Sequence, residues 1–124
     1  MRRAAELSAE AHVAAMREVR PGRHEYNLKA AMVATCLHGG AGRMAYPPIV
    51  GSGRNSCVLH YSANRRRMQA GEILLIDYAP EFDHGVVDIT RTWPVNGKFS
   101  ERQAKLYDAV LAAQQAGIDA AKPG

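Results

Sequence analysis

Hydrophobic residues near the start of the chain recur every three or four positions. Between residues 3 and 19 they include Leu7, Ala11 and Ala14, a spacing that places apolar side chains on one side of a helix. The tripeptide Arg-Pro-Gly at residues 20–22 ends this pattern, because proline cannot continue a helix and glycine permits a sharp turn. The pattern predicts a first amphipathic helix over residues 3–19.

A second helical pattern follows over residues 25–38. Leu28, Met32 and Cys36 fall on one stripe, and the glycine-rich stretch His-Gly-Gly-Ala-Gly from residue 38 ends it. We therefore expect two consecutive helices before any strand.

The middle of the chain has the pattern of short strands. The stretch YPPIVGSGRNSCVLHYS predicts two β segments around a Gly-Ser-Gly turn, and GEILLIDYA predicts a buried strand. The β-branched run GVVDITRTWPV predicts a further strand, and VNGK predicts a tight turn. The order of helices and strands predicts an α+β fold, with helices packed on one face of an antiparallel sheet.

The chain ends in a third helical pattern. Ser100 is a good N-cap, and Gln103 stands three residues later, which is the spacing of a capping box. We expect a helix from about Glu101 to Ala121.

Composition narrows the class of protein. The 124 residues are 47% hydrophobic and 23% charged, as in globular chains. The formal charge is +4, but the basic run Arg65-Arg66-Arg67 has no interleaved aromatic residue on which a base would stack. We interpret this run as a solvated loop and expect no nucleic-acid partner.

The sequence also indicates a compartment. Its two cysteines, Cys36 and Cys57, have no C-x-x-C spacing, so we expect reduced, packed thiols. The N-terminal stretch lacks the apolar core of a signal peptide, and no apolar run approaches the ~18–20 residues that span a bilayer. We expect a cytoplasmic protein with no membrane partner.

Two aspartates interrupt the most hydrophobic stretch, Ile76 to Pro94. Pairing Asp77 with Asp88 across an antiparallel hairpin places the turn centre between Phe82 and Asp83, inside a polar run. This register predicts that the two side chains face each other with Cβ atoms roughly 4.5–5.5 Å apart.

Two close carboxylates on a half-buried sheet repel each other, and three arrangements offset the repulsion. One is a shared proton, with one pKa raised. Another is a pair of divalent cations, for which oxygen ligands suit manganese, cobalt, zinc or magnesium. In the third, one aspartate caps a turn or pairs with Arg91, although strand alternation points Arg91 to the other face.

A histidine, His60, ends the strand-like piece SCVLHYS. A lone histidine at a strand end is usually structural or exposed. If it reaches the face that carries the aspartates, it is able to bind a substrate carbonyl or transfer a proton. His12, His24 and His84 have no ligand-like spacing to the pair.

The segments VLHYSAN and GEILLIDYAPEFDHGVVDITRTWPVNGKFSERQAKLYDAVLAAQ resemble the Xaa-Pro aminopeptidase and prolidase branch of the pita-bread metallopeptidases. The resemblance implies half of a pita-bread fold: helices on one face of a curved antiparallel sheet. It also implies that Asp77 chelates one ion of a dinuclear centre, that Asp88 bridges both ions, and that His60 is a catalytic residue that binds the substrate.

The resemblance further implies hydrolysis of peptide bonds next to proline by a metal-activated water. Two divalent ions are expected in the intact site, manganese before cobalt or zinc, and this chain alone is expected to be inactive and to hold none. The family site uses a further histidine and two glutamates, which have no counterparts here after Asp88. Residues 1–124 therefore resemble the first half of the catalytic domain, and the partner is a C-terminal half or a second copy of the chain.

Two other functions stay open. One is a non-catalytic binding module that reuses the fold, since fold alone does not fix activity. The other is a creatinase-like hydrolase, because substrate choice in this family depends largely on parts of the fold that this sequence does not contain.

Overall fold

The computed structural model describes residues 1–123, which form three α-helices and six short strands. The helices are α1 (Arg2–Glu18), α2 (Glu25–His38) and α3 (Glu101–Ala120). The strands are β1 (Arg43–Met44), β2 (Ile49–Ser52), β3 (Ile73–Tyr78), β4 (Pro80–Phe82), β5 (Gly85–Val86) and β6 (Ile89–Pro94). A 3-10 helix, Gly53–Cys57, follows β2. The predicted α+β class and the three predicted helices are confirmed.

The core lies between the two N-terminal helices and one face of the sheet. Helix α1 packs against α2, and α2 contacts β2. Burying each large apolar side chain contributes about 1.5–3 kcal/mol. The fully buried members include Leu7 and Ala11 of α1, Leu28 and Met32 of α2, and Val50, Leu74, Ile76 and Tyr78 of the strands.

The two helices approach closely at the end of α2. A Cβ atom added at Gly39 would overlap the side chain of Leu7, which is fully buried. A larger residue there would displace the Leu7 side chain, which the packed core around it resists.

The strands form two three-stranded antiparallel sheets, with orders β2-β3-β6 and β1-β4-β5. Strand β3 pairs with β6, and Asp77 lies opposite Thr90. Strand β4 pairs with β5, and Phe82 lies opposite Gly85. The two-residue turn between them has positive φ at both positions, 49° at Asp83 and 61° at His84, as in the hairpin turns whose twist matches that of the strands.

This register corrects the sequence prediction. Asp88 does not oppose Asp77; it lies two residues away from the position opposite, in the irregular link between β5 and β6. The predicted turn centre was one residue too early. The error amounts to two positions on the partner strand, and an even shift leaves the predicted face of the pairing unchanged.

The second predicted β segment, SCVLHYS, is also wrong. It forms the end of the 3-10 helix and a turn, with His60 in the left-handed region at φ 54°. In addition, Cys36 is buried but Cys57 is exposed, so only one thiol is packed.

The other face of the β2-β3-β6 sheet carries little of this core. Along β3, Leu74, Ile76 and Tyr78 are buried, whereas Ile73, Leu75 and Asp77 are only half-buried. Helix α3 has no buried residue, and Leu106 and Val110 are each 62% exposed. A groove of about 540 Å³ lies between α3 and this face. Within residues 1–123, no helix is long and apolar enough to cross a membrane.

Candidate functional site

The open face of the sheet presents Asp77 near the end of β3. Alternation along β3 turns this side chain away from the core formed with α1 and α2. Asp88 is exposed and lies where the chain passes from β5 to β6. Both side chains line one cleft of about 490 Å³, together with Tyr46, Pro47, Ile49, His60 and Ser62. The structure therefore brings the three predicted site residues into one cleft.

A tyrosine that the sequence analysis missed joins the two carboxylates. The Tyr46 hydroxyl oxygen lies 2.8 Å from Asp77 Oδ1 and 2.6 Å from Asp88 Oδ1. The Thr90 hydroxyl donates a hydrogen bond of 3.0 Å to the same Asp77 oxygen. Tyr46 precedes Pro47 and Pro48 in the chain, so no periodic pattern marks it. Only the tertiary structure places its hydroxyl between the aspartates.

The hydrogen-bonding capacity of this cluster is limited by its protons. The single phenol proton of Tyr46 forms a hydrogen bond with one carboxylate at a time. The other short contact is also a hydrogen bond when the second carboxyl group is protonated and donates to the Tyr46 oxygen. The hydrogen bond from Tyr46 lowers the pKa of Asp88, but the hydrogen bond with Asp77, burial and the charge of Asp77 together raise it above its ordinary value. Burial and the two carboxylates raise the pKa of Tyr46 as well, so it stays a neutral phenol.

The carboxylate pair also suits a metal ion. Hard divalent cations bind carboxylate oxygens, and two such oxygens already converge on the single oxygen of Tyr46. Across residues 1–123, no three His, Cys, Asp or Glu side chains are grouped to hold a metal ion. Among the described residues, the candidate metal ligands in this cleft are therefore the two carboxylates of Asp77 and Asp88.

The alternative pairing of an aspartate with Arg91 does not occur. The Arg91 guanidinium donates to the Thr90 carbonyl oxygen, and its side chain is exposed. Among the residues that the structure describes, neither Asp77 nor Asp88 forms an ion pair within 4 Å.

His60 reaches the cleft from a turn rather than from a strand. Its φ of 54° is uncommon for a residue with a Cβ atom, and such strain concentrates at functional sites. Two other histidines lie elsewhere. His12 is buried and its Nε2 contacts the Ile89 carbonyl oxygen at 3.1 Å, while His84 is exposed at the hairpin turn.

Comparisons with known proteins agree with this geometry. The sequence model of metallopeptidase family M24 matches residues 1–124. Xaa-Pro aminopeptidase of Escherichia coli (strain K12) is 43% identical over 124 residues, which are 100% of this chain and 28% of that protein.

Solved structures give the same result. A variant of Escherichia coli aminopeptidase P in complex with substrate superimposes with a TM-score of 0.96 at 43% identity, covering 99% of this chain and 28% of that one. The zinc-substituted enzyme in complex with product gives the same four values. The chain thus spans about 28% of the length of these relatives. The resemblance inferred from the sequence is confirmed: the chain belongs to metallopeptidase family M24.

Proposed function

We propose that this chain is part of a metal-dependent Xaa-Pro aminopeptidase or dipeptidase, which hydrolyses peptide bonds next to proline. The observation that carries the proposal is the convergence of Asp77 and Asp88 on one hydroxyl oxygen, in the cleft that His60 also lines. The names of the relatives, which are Xaa-Pro aminopeptidases, support the substrate class.

In this proposal Asp77 and Asp88 hold two divalent ions, with manganese preferred and cobalt or zinc as alternatives. One relative accepts zinc, as the zinc-substituted aminopeptidase P shows for that protein. Ions bound at these carboxylates supply Lewis acidity, which makes water a better nucleophile and polarises a peptide carbonyl.

The residues of the chain orient the reactants. Tyr46 and Thr90 hold the Asp77 carboxylate in place by hydrogen bonds, so less free energy is spent on ordering it during binding. His60 is able to donate a hydrogen bond to the substrate, and Pro47 and Ile49 give the cleft an apolar wall.

The remaining ligands come, in this proposal, from a C-terminal half of the same fold or from a second copy of the chain. Residues 1–124 are then the first half of the catalytic domain and are inactive alone. Two observations support this arrangement: the apolar groove of about 540 Å³ beside α3 and the absence of a third ligand among residues 1–123. The two free thiols favour a reducing compartment, and we place the protein in the cytoplasm.

The test is reconstitution. The chain is assayed with Mn²⁺ and an Xaa-Pro peptide, alone and together with a polypeptide that carries the second half of an aminopeptidase P fold. We expect turnover only in the mixture, and we expect Asp88→Asn to abolish it.

The matched control is Asp83→Asn, which makes the same chemical change in the same hairpin outside the cleft and should retain turnover. A folded mixture that does not cleave Xaa-Pro peptides would contradict the proposed function. Robust hydrolysis by the isolated chain would contradict the need for a second half.

A further inference from the structure

The segment that carries His60 has little support of its own. It leaves the sheet at Ser52, the last residue of β2, and ends at Arg66, next to the isolated bridge between Arg67 and His24. After Cys57 it contains no regular structure as far as Arg66, and Leu59 is 86% exposed. Near its end, the buried Asn64 accepts a hydrogen bond from the Val50 amide and donates one to the Pro48 carbonyl oxygen. The stretch around His60 has no such buried residue and is free to open locally unless other parts of the fold hold it.

Glu25, the first residue of α2, holds this segment. Its side chain is fully buried, and both carboxylate oxygens accept hydrogen bonds from the segment and its ends. Oε1 accepts from the Ser52 amide at 2.8 Å, the Ser52 hydroxyl at 2.8 Å and Asn55 Nδ2 at 3.2 Å. Oε2 accepts from the Tyr61 hydroxyl at 2.7 Å and the Arg66 amide at 2.9 Å.

These donors are spread along the segment. Ser52 and Arg66 are its two ends, Asn55 lies in the 3-10 helix, and Tyr61 directly follows His60 in the chain. The amide of Glu25 donates in turn to the Arg66 carbonyl oxygen at 3.0 Å. One side chain thus fixes both ends of the segment and the residue next to His60.

The energetic cost of burying the Glu25 carboxylate suggests that it orients the segment rather than only stabilising the fold. A buried carboxylate is costly to desolvate, and an apolar residue of similar size often stabilises a core as well or better. Among residues 1–123, no basic side chain forms a salt bridge with the Glu25 carboxylate within 4 Å, whereas five directed hydrogen bonds reach its two oxygens. Directed bonds restrict orientation, which apolar contacts do only weakly.

We propose that Glu25 is a positioning residue for His60: its buried carboxylate fixes segment 52–66 through Ser52, Tyr61 and Arg66, and so holds the imidazole in the cleft. The proposal rests on the proposed function for the role of His60 in substrate binding. The claim that Glu25 fixes the position of segment 52–66 does not depend on that role, and it is measured without an activity assay.

The first experiment uses the 124-residue chain without activity. Amide hydrogen exchange over residues 53–65 and the NMR signals of the His60 ring are compared for Tyr61→Phe, Glu25→Gln and the unaltered chain. Losing one charge-assisted bond is expected to raise exchange around residues 58–62 by roughly tenfold, and to shift the His60 signals, while β3 keeps its protection.

Tyr61→Phe removes one hydroxyl from a partly exposed side chain, so it answers the question even if Glu25→Gln unfolds the chain. The matched control is Glu81→Gln, which removes a carboxylate paired with Arg43 in the other sheet and should leave residues 53–65 unchanged. Unaltered exchange and unaltered His60 signals in Tyr61→Phe would overturn the proposal.

The second experiment uses the reconstituted enzyme. Tyr61→Phe is expected to lower kcat/KM about tenfold in the unaltered background, but to have no further effect when His60 is already replaced by alanine. Non-additivity of this kind reports that one residue acts through the other. An equal loss in both backgrounds would overturn the proposal, whereas an inactive unaltered mixture would contradict only the proposed function.

Discussion

The carboxylate pair should lower the stability of the chain when no metal is bound, and Asp88→Asn tests this. The Tyr46 hydroxyl oxygen lies 2.8 Å from Asp77 Oδ1 and 2.6 Å from Asp88 Oδ1. These two carboxylate oxygens are therefore at most 5.4 Å apart, which is the sum of the two distances. At that separation two unit charges repel by about 3 kcal/mol at an effective dielectric constant of 20, and by about 0.8 kcal/mol in water. Because Asp88 is exposed, the effective dielectric constant lies between these two cases.

The substitution has one opposing cost. Tyr46 loses an ionised acceptor at Asp88, and the difference between a charged and a neutral hydrogen bond is about 1 kcal/mol. Asp77 still accepts from the same hydroxyl. The net expectation is a gain of about 1 kcal/mol in the free energy of unfolding at pH 8, or about 4 °C in Tm.

The pH dependence identifies the cause. The raised pKa of Asp88 means that the folded chain binds more protons than the unfolded chain between the ordinary value of 3.8 and the raised one. Stability of the unaltered chain therefore falls as pH rises through that window. The gain from Asp88→Asn should appear in the same window and become smaller as pH falls toward the ordinary value of 3.8.

The assay is thermal and denaturant unfolding in the presence of a chelator at pH 4 and pH 8. Asp83→Asn is the control, because Asp83 lies in the hairpin turn and asparagine tolerates its φ of 49°. We expect it to change stability by less than about 0.5 kcal/mol. The reasoning is refuted if Asp88→Asn fails to stabilise the chain at pH 8, or if it stabilises equally at pH 4.

Two further predictions concern histidines. His60→Gly should leave the chain about 1 kcal/mol more stable than His60→Ala, because glycine adopts φ 54° without strain; equal unfolding midpoints in urea would contradict this. Burial lowers the pKa of His12 more than its bond to the Ile89 carbonyl raises it, and Arg91 lowers it further. The unfolded chain therefore binds the proton first, and stability should fall as pH drops below about 6.5. His12→Gln should flatten that part of the stability curve, whereas His84→Gln, at a side chain that is 96% exposed, should not; identical curves for the two variants would count against the argument.

The helices were predictable because their signals are local. The spacing of Leu28, Met32 and Cys36 and the glycines after residue 38 gave the bounds of α2, which the structure confirms. At α3, the Ser100 hydroxyl accepts from the Gln103 amide at 3.3 Å, and Gln103 Oε1 accepts from the Ser100 amide at 2.8 Å, as the capping box predicted. A cap depends on a few neighbouring residues, so the sequence contains it in full.

The register of the hairpin was less predictable. The polar run from residue 80 to residue 85 permits several turn positions, and the sequence alone does not show that Asp83 and His84 both adopt positive φ. The two aspartates still lie on the same side of the sheet, because the predicted pairing was shifted by two residues, an even number. The distance between them, and the tyrosine that joins them, were not available from the pattern.

The segment around His60 shows more clearly what the sequence pattern does not predict. Its apolar residues Val58 and Leu59 suggested a strand, yet both side chains are exposed. The basic run after it was expected to be solvated throughout, but Arg66 is half-buried and forms a bidentate ion pair with Glu72. In both cases the decisive partners, Glu25 and Glu72, are not marked by any local pattern.

The amino-acid sequence by itself determined the helices, their ends, the α+β class and the face on which the aspartates lie, because periodicity and capping act over a few residues. The tertiary structure alone decided what surrounds those aspartates: the hydroxyl of Tyr46 from a loop 31 residues before Asp77, and the His60 turn fixed by a carboxylate at the start of α2. Such contacts depend on how distant elements pack, and packing is a property of the whole fold rather than of any window of the chain.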